Sequence, residues 1–543
     1  MIETNCDEIP IIVWADIEIS PMGLKSKLLE TIGPRSVLRQ TAERICRTKL
    51  SGRKIFICRP EQENKITSVL MGLPIEIIPM EVKLPNWHRG LQAARKWALD
   101  CWRGGLVNAC AFDEDLMVHI LEHIAKRLNV KAVMVVQAHA AWIDPDIVDR
   151  QIMQYREHSE EIDFTFTQAP PGISGLILGR KTLSELLTGM KIAGPLIGYN
   201  IQKPYYDQIG LACNLPIDPA VVHTPYRFTC DTNRGLALAR RLAELVDPLS
   251  VSATELVTHA KKEAPFTILQ WPEEIEIELV TGWPWPAGYR PSPSSPRGPI
   301  DADMTIKRIA ELAEQIDDLV ICLGGFGEPT CHPQFEAIVK GLKSAGVLGI
   351  SLSTTGLYEQ EKSNLIASLP IDVVSMLIDI PDRELYARLM GVDAYETVLA
   401  NTNKIIETVL KENLPTPLVV PEMIKTYDTM ELMDSFYDGW LARTGSAVIR
   451  GYSDYAGQIP DLAVNSMAPP IRHTCRQIMR RMMVLADGRV PQCDQDYEGR
   501  CIAGDIRNES LLDIWQGKYF NSLRADQLSQ NILCERCRQW HRP

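Results

Sequence analysis

Short apolar runs and amphipathic stretches alternate along the first 245 residues. IPIIVWADI (9–17), RKIFICRP (53–60) and KAVMVVQAH (131–139) read as strands. SVLRQTAERICRTKL, DLMVHILEHIAKRLN and PDIVDRQIMQYREH carry apolar residues at helical spacing, with Pro145 at the first turn of the last. Strands alternating with helices predict a parallel sheet covered by helices. Residues 246–273 hold a short helical pattern and read as a connector.

A second alternation starts at Glu274. EIEIELVT places acidic and apolar residues in turn, as a strand does. GWPWPAGYRPSPSSPRGPIDAD is rich in Pro, Gly and Ser and reads as a loop. MTIKRIAELAEQI, PQFEAIVKGLKSAG, AYETVLANTNKIIETVL and ELMDSFYDGWLART are helices; DLVICLGG, LGISLSTTG, IDVVSMLID, PLVVPEMI and SAVIRGYS are strands. Repeated βα units over 274–460 predict a partial or full barrel. Residues 470–543 are loop-rich, with a helix near SLLDIWQGKYFNSL and a strand edge with core methionines at RRMMVL. The reading is α/β throughout.

Composition narrows the function classes. Lys+Arg 57 against Asp+Glu 69 leaves a net charge of −12, the opposite of a nucleic-acid footprint. No apolar run reaches the roughly 18 residues that span a bilayer, and the opening MIETNCDEIP has no basic region ahead of an apolar stretch. The expectation is a cytoplasmic chain with reduced cysteines, no membrane partner and no nucleic-acid partner.

The cysteines are distributed unevenly. Nine of the 14 (Cys6, Cys46, Cys58, Cys101, Cys110, Cys213, Cys230, Cys322, Cys331) are scattered and read as packing residues. Cys475, Cys493, Cys501, Cys534 and Cys537 crowd the tail. Cys534 and Cys537 form a CxxC in the polar run NILCERCRQWHRP, and Cys475 and Cys493 are the candidates to complete a four-thiolate site. Sulfur donors alone suit zinc and an iron–sulfur cluster equally. The histidines show no HxH or HExxH spacing.

The strand DLVICLGG runs into GGFGEPTCHPQF. Gly324, Gly325 and Gly327 let the backbone approach a ligand, and Glu328 stands at the carboxyl end of a barrel strand. This resembles the GGEP-type motif of radical S-adenosylmethionine (SAM) enzymes. The resemblance implies that Gly324, Gly325, Gly327 and Glu328 contact SAM. The tail resembles a SPASM domain, an auxiliary-cluster module. The matching pieces are Cys475, Asp487–Gly488, Cys493, Asp496, Gly504, Trp515, Cys534 and Cys537. That resemblance implies one [4Fe–4S] cluster on Cys475, Cys493, Cys534 and Cys537, with Cys501 a spare thiol or packing residue. The organisation is similar to a spirochaete-type SPASM family.

One departure from the pattern matters more than the match. Radical SAM enzymes carry CxxxCxxC in the loop after the first barrel strand, and its three thiolates hold the cluster that cleaves SAM. Here that loop has no cysteine, and Trp283, Trp285 and Tyr289 are no substitute. Cys322 and Cys331, the nearest thiols, are two rather than three. The loop's aromatic and Pro-rich make-up suits a plug or a docking surface.

The segment ADIEISPMGLKSKLLETIGPRSVLRQTAERI resembles the opening of sugar-phosphate cytidylyltransferases, with Lys25 or Lys27 matching the family's lysine. Asp16, Ile17, Glu18 and Ile19 replace the glycine-rich part, and acidic side chains there repel a triphosphate. His139 stands where the family has a magnesium-binding Asp, and Mg²⁺ prefers oxygen. Asp144, Pro145 and Asp231 are retained.

The expected architecture is therefore a nucleotidyltransferase-like (GT-A/Rossmann-like) sheet over 1–245, a radical SAM-like partial barrel over 274–460 and a small SPASM iron–sulfur module over 470–543. The expected function is that of an iron–sulfur protein without conventional SAM cleavage, serving electron transfer or binding a peptide, protein or nucleotide-sugar partner. A radical enzyme with an atypical cluster and a sugar nucleotidyltransferase are the alternatives.

Overall fold

The computed structural model describes residues 8–189, 191–283, 285, 289–466, 468–472, 474–525 and 532–541. Cys6 and the opening heptapeptide lie outside the described residues. The chain divides into two compact units, Met1–Thr267 and Ile268–Pro543.

In the first unit, β1 (Ile11–Trp14) is flanked by β2 (Lys54–Cys58) and β4 (Ala132–Val135), both parallel to it. β3 (Glu76–Pro79) extends one edge in parallel. β5 (Phe164–Thr165) and β6 (Leu176–Gly179) extend the other antiparallel, giving the order β3-β2-β1-β4-β6-β5. The all-apolar β4 is fully buried, as a strand covered on both faces must be. Helices α1 (Val37–Ile45), α2 (Val118–Leu128) and α3 (Pro145–Glu157) follow the periodicity in the sequence. Asp144 caps α3 by accepting from the Asp146 and Ile147 N–H groups, and Pro145 takes the position where a missing N–H costs nothing. Within 246–273 the short helix of the sequence reading is a 16-residue helix, α4 (Ala253–Ile268).

The second unit is built on β7 (Glu274–Glu278), β8 (Val320–Gly324), β9 (Gly349–Thr354), β10 (Val373–Asp379), β11 (Leu418–Lys425) and β12 (Val448–Gly451). Each is parallel to the next, with helices such as α5 (Ala302–Ala313), α6 (Phe335–Ser344), α7 (Tyr395–Lys411) and α8 (Met433–Thr444) between them. A seventh strand, β13 (Arg481–Val484), pairs in parallel with β7, so the order is β12-β11-β10-β9-β8-β7-β13. The two end strands are not paired to each other, and the barrel is partial. Ile275 and Ile277 join the core beneath the helices. By the period-two rule Glu274, Glu276 and Glu278 face the other way, inward.

Among the described residues no helix is long and apolar enough to cross a membrane.

Candidate functional site

The tail is organised around its turns. Gly488, with φ 85°, turns the chain between β13 and β14 (Arg489–Pro491). β14 pairs antiparallel with β15 (Ile502–Asp505). Asp496 is fully buried and accepts from the Arg500 and Cys501 N–H groups at 3.0 and 2.7 Å, closing the loop that follows Cys493. A Cβ on Gly504 would lie 2.6 Å from Ile514, so glycine lets α9 (Leu511–Gln516) close onto the hairpin. Trp515 is buried there, its Nε1–H donating to the Leu269 carbonyl at 2.8 Å. Gly488, Asp496, Gly504 and Trp515 of the tail motif thus each have a positioning job.

These supports bring Cys475, Cys493, Cys534 and Cys537 to one cavity, lined also by Arg472, Ile478 and Trp540. Cys534 lies in α10 (Ile532–Arg536) and Cys537 follows it, its sulfur accepting the Gln539 N–H at 3.3 Å. The thiols ring this space rather than closing on one ion; among the described residues no three His, Cys, Asp or Glu side chains come together to hold one. Burial raises all four thiols, Cys537 to about 11. Only a strongly electropositive centre keeps four such sulfurs ionised together, so an all-thiolate cluster fits the donor set. Cys501 is not part of the lining, although its charge raises the Cys534 thiol.

At the carboxyl end of the barrel strands, Gly325 has φ 83°, and a Cβ on it would press on Glu278 at 2.8 Å. Its N–H donates to Glu276 Oε1 at 2.9 Å, so a backbone donor of the glycine motif is engaged by a side chain of β7. Burial, then Asp494 and Glu274, push the Glu276 carboxyl up to about 7. A Cβ on Gly327 would meet the Val280 and Gly282 carbonyl oxygens at 2.3 and 2.6 Å, and Gly282 N–H donates to Phe326 O at 2.8 Å. The loop after β7 therefore lies directly on the glycine motif. Glu328 is fully buried. Its Oε1 accepts from the Thr330 and Thr354 hydroxyls at 2.9 and 2.7 Å, and its Oε2 from the Thr355 N–H and hydroxyl at 2.9 and 2.7 Å. These are the bonds a buried carboxylate needs.

The cysteine-free loop is anchored by ions. Arg297 grips Glu278, and Arg290 pairs with the fully buried Asp379, donating also to the Leu377 carbonyl of β10 at 3.1 Å. Asp379 has φ 59° at a bulge in β10 and also pairs with Arg450 at 3.0 Å. Ser294 donates to Glu498 of the tail through its hydroxyl at 2.8 Å. Phe326 packs edge-on against Tyr455 and Tyr497. Cys322 faces inward and accepts from the Ser351 hydroxyl at 3.0 Å, while Cys331 is exposed. The acidic alternation of EIEIE was the sequence signal for this inward carboxylate row; its arginine partners carried none.

In the first unit, Asp16 accepts from the Glu18 and Ile19 N–H groups and pairs with Arg59 at 2.9 Å, fixing the loop that replaces a glycine-rich turn. His139 is buried, with Ser26 Oγ 3.4 Å from its Nε2; burial depresses it to about 4, so the ring is neutral. Burial would raise the Asp231 carboxyl, but Arg227 overrides this and holds it at about 2. Arg227 bonds both Asp231 at 2.6 Å and Glu114 at 2.8 Å. Lys25 is exposed and Lys27 half-buried.

Residues 475–538 match the SPASM family, described as an iron-sulfur cluster-binding domain, and residues 289–432 match the Radical SAM superfamily. The second match begins inside the cysteine-free loop and does not include β7. An uncharacterized protein of Treponema pallidum is 25% identical over 290 residues, covering 50% of this chain and 79% of its own length. A probable GTP 3′,8-cyclase of Saccharolobus islandicus is 28% identical over 99 residues, 18% of this chain and 32% of that protein. A tungsten-containing aldehyde ferredoxin oxidoreductase cofactor-modifying protein of Pyrococcus furiosus is 39% identical over 85 residues, 15% of this chain and 23% of that protein. The chain thus spans a third or less of those two relatives. Among solved structures, Streptococcus suis SuiB matches with TM-score 0.40 and 13% identity over 57% of this chain and 85% of that one. A cytidylyltransferase from Leptospira borgpetersenii matches with TM-score 0.33 and 12% identity over 48% of this chain and 95% of that one.

Proposed function

We propose that this radical SAM and SPASM domain protein is an iron–sulfur protein that holds one auxiliary [4Fe–4S] cluster and does not perform conventional reductive SAM cleavage. Cys475, Cys493, Cys534 and Cys537 would hold the cluster, which supplies one-electron chemistry or a structural centre when bound. The observation that carries the reading is the loop after β7. It brings no cysteine to the barrel mouth and ties its own arginines, Arg297 and Arg290, to Glu278 and Asp379. Those two ion pairs use inward-facing acids that a cationic ligand would otherwise meet. Glu328 is likewise committed, to three threonines.

The first unit acts as a binding scaffold rather than a nucleotidyltransferase. The Asp231 carboxylate is spoken for by Arg227, and a neutral His139 is a poor magnesium ligand. The role that remains is electron transfer, or binding of a peptide, protein or nucleotide-sugar partner, in the cytoplasm.

Anaerobic reconstitution tests the reading. About four iron and four sulfide per chain are expected, with no 5′-deoxyadenosine formed from SAM under dithionite. About eight of each, or deoxyadenosine in stoichiometric amount, would overturn it.

A further inference from the structure

A second cavity, with about 190 Å³ of space, opens between the barrel and the tail within the second unit. Lys425 and Gly451, neighbours at the carboxyl ends of β11 and β12, form one wall. The loop 461–466 and Arg538, Gln539 and His541 form the others. The Tyr427 hydroxyl holds that loop through the Val464 carbonyl at 2.9 Å, and Arg538 clasps Asp461 at 2.6 Å.

Two charges in this cavity are left over. Asp454 is 8% exposed, and its Oδ1 is buried without a hydrogen-bond partner. Buried carboxylates are normally bonded, and an unbonded one costs stability, so a cavity-lining carboxylate with no bonded partner marks a place where a donor arrives. Lys425 supplies the opposite sign; among the described residues no side chain engages its ammonium. His541 Nδ1 is also buried without a partner. A bare cation suits Asp454 but meets Lys425 and Arg538; a bare anion suits Lys425 but meets Asp454 and Asp461.

We propose that this cavity binds a small zwitterion bearing an α-amino-acid group. Its ammonium is received by Asp454 and its carboxylate by Lys425. The pocket is not the four-cysteine site, but Gln539 lines both, so an occupant sits one side chain from the cysteine cavity. The assignment does not depend on the cluster count or on the chemistry of the barrel.

The test is isothermal titration of the full-length, cluster-loaded protein with the free amino acids and a dipeptide set. Their N-acetyl and methyl-ester derivatives each remove one charge, and SAM, which carries the same amino-acid end on a larger body, forms a separate arm. A binding zwitterion is expected, with affinity at least tenfold weaker for either derivative. Asp454→Asn and Lys425→Met are each expected to weaken it at least tenfold while iron content stays unchanged. The visible or EPR signature of the cluster should shift on saturation. Equal binding of the blocked derivatives, no zwitterion tighter than about 1 mM, or binding of SAM alone would overturn the assignment. Calorimetry reads the pocket directly, so failure of the cluster reading would be seen separately, in the iron content.

Discussion

Arg297 and Glu278 meet as a two-bonded ion pair, Nε to Oε2 at 2.9 Å and Nη2 to Oε1 at 2.8 Å, with both side chains buried. One comes from the loop, the other from the inward row of β7. Glu278 Oε2 also accepts the Ala486 N–H at 2.8 Å, so a single carboxylate ties strand, loop and tail together.

Breaking that pair from one side leaves a charge stranded. Arg297→Leu is expected to cost about 3–5 kcal/mol, because Glu278 is left buried without its counter-ion. The double variant with Glu278→Gln should recover a large part of the loss. Urea unfolding of the single and double variants measures the coupling.

Removing one of the four tail thiols proposed to hold a cluster should unfold the tail locally. Cys493→Ala or Cys534→Ala is expected to reduce iron from about four per chain to less than about one. Proteolysis within 475–541 should rise in both, whereas Cys501→Ala should keep its iron. Iron analysis with limited proteolysis decides this.

Glu328 is held by threonines, so its removal should be felt as stability. Glu328→Ala strands three hydroxyls and two N–H groups and is expected to cost about 2–4 kcal/mol. Chemical denaturation measures it; a SAM titration of the more conservative Glu328→Gln should show no change from the parent.

Acid should loosen the first unit in two stages. His139 and His88 are depressed by burial from 6.5 to about 4. An unfolded chain takes up these protons first, so their contribution is complete above pH 6.5 and is lost as pH falls toward 4, about 3 kcal/mol for each. Asp231, held at about 2 against an ordinary 3.8, keeps its contribution above 3.8 and loses it only as pH falls toward 2. Unfolding curves between pH 7 and 4 measure the first stage, and His139→Gln should flatten it by about one proton.

The strands of the second unit were readable because apolar runs such as IDVVSMLID and DLVICLGG are bounded by turn residues. Cys534 and Cys537 stood out because sulfur in a polar run has few uses; Cys475 and Cys493 were candidates to join them, and the four line one cavity. What escaped was pairing at a distance. Nothing local tells that Arg290 reaches Asp379, that Arg227 takes both Glu114 and Asp231, or that Thr354 and Thr355 fill the bonds of Glu328. Helices Glu361–Ser368 and Arg383–Met390 were also missed, the first because it has little one-sided apolar face. RRMMVL was seen as a strand edge with core methionines, but its partner β7 lies too far along the chain for any periodicity to show.

That partnership sets an order of events during synthesis. Ala486 and Glu278 are 208 residues apart in the chain, and β13 ends at Val484, two residues before Ala486. A nascent chain must therefore carry β7 with one row of backbone donors and acceptors open until β13 leaves the ribosome. Exposed strand margins of that kind recruit other chains. A truncation before Arg481 would make the gap permanent, so such fragments should accumulate as aggregates even though the six strands β7 to β12 and the helices between them are all encoded in them.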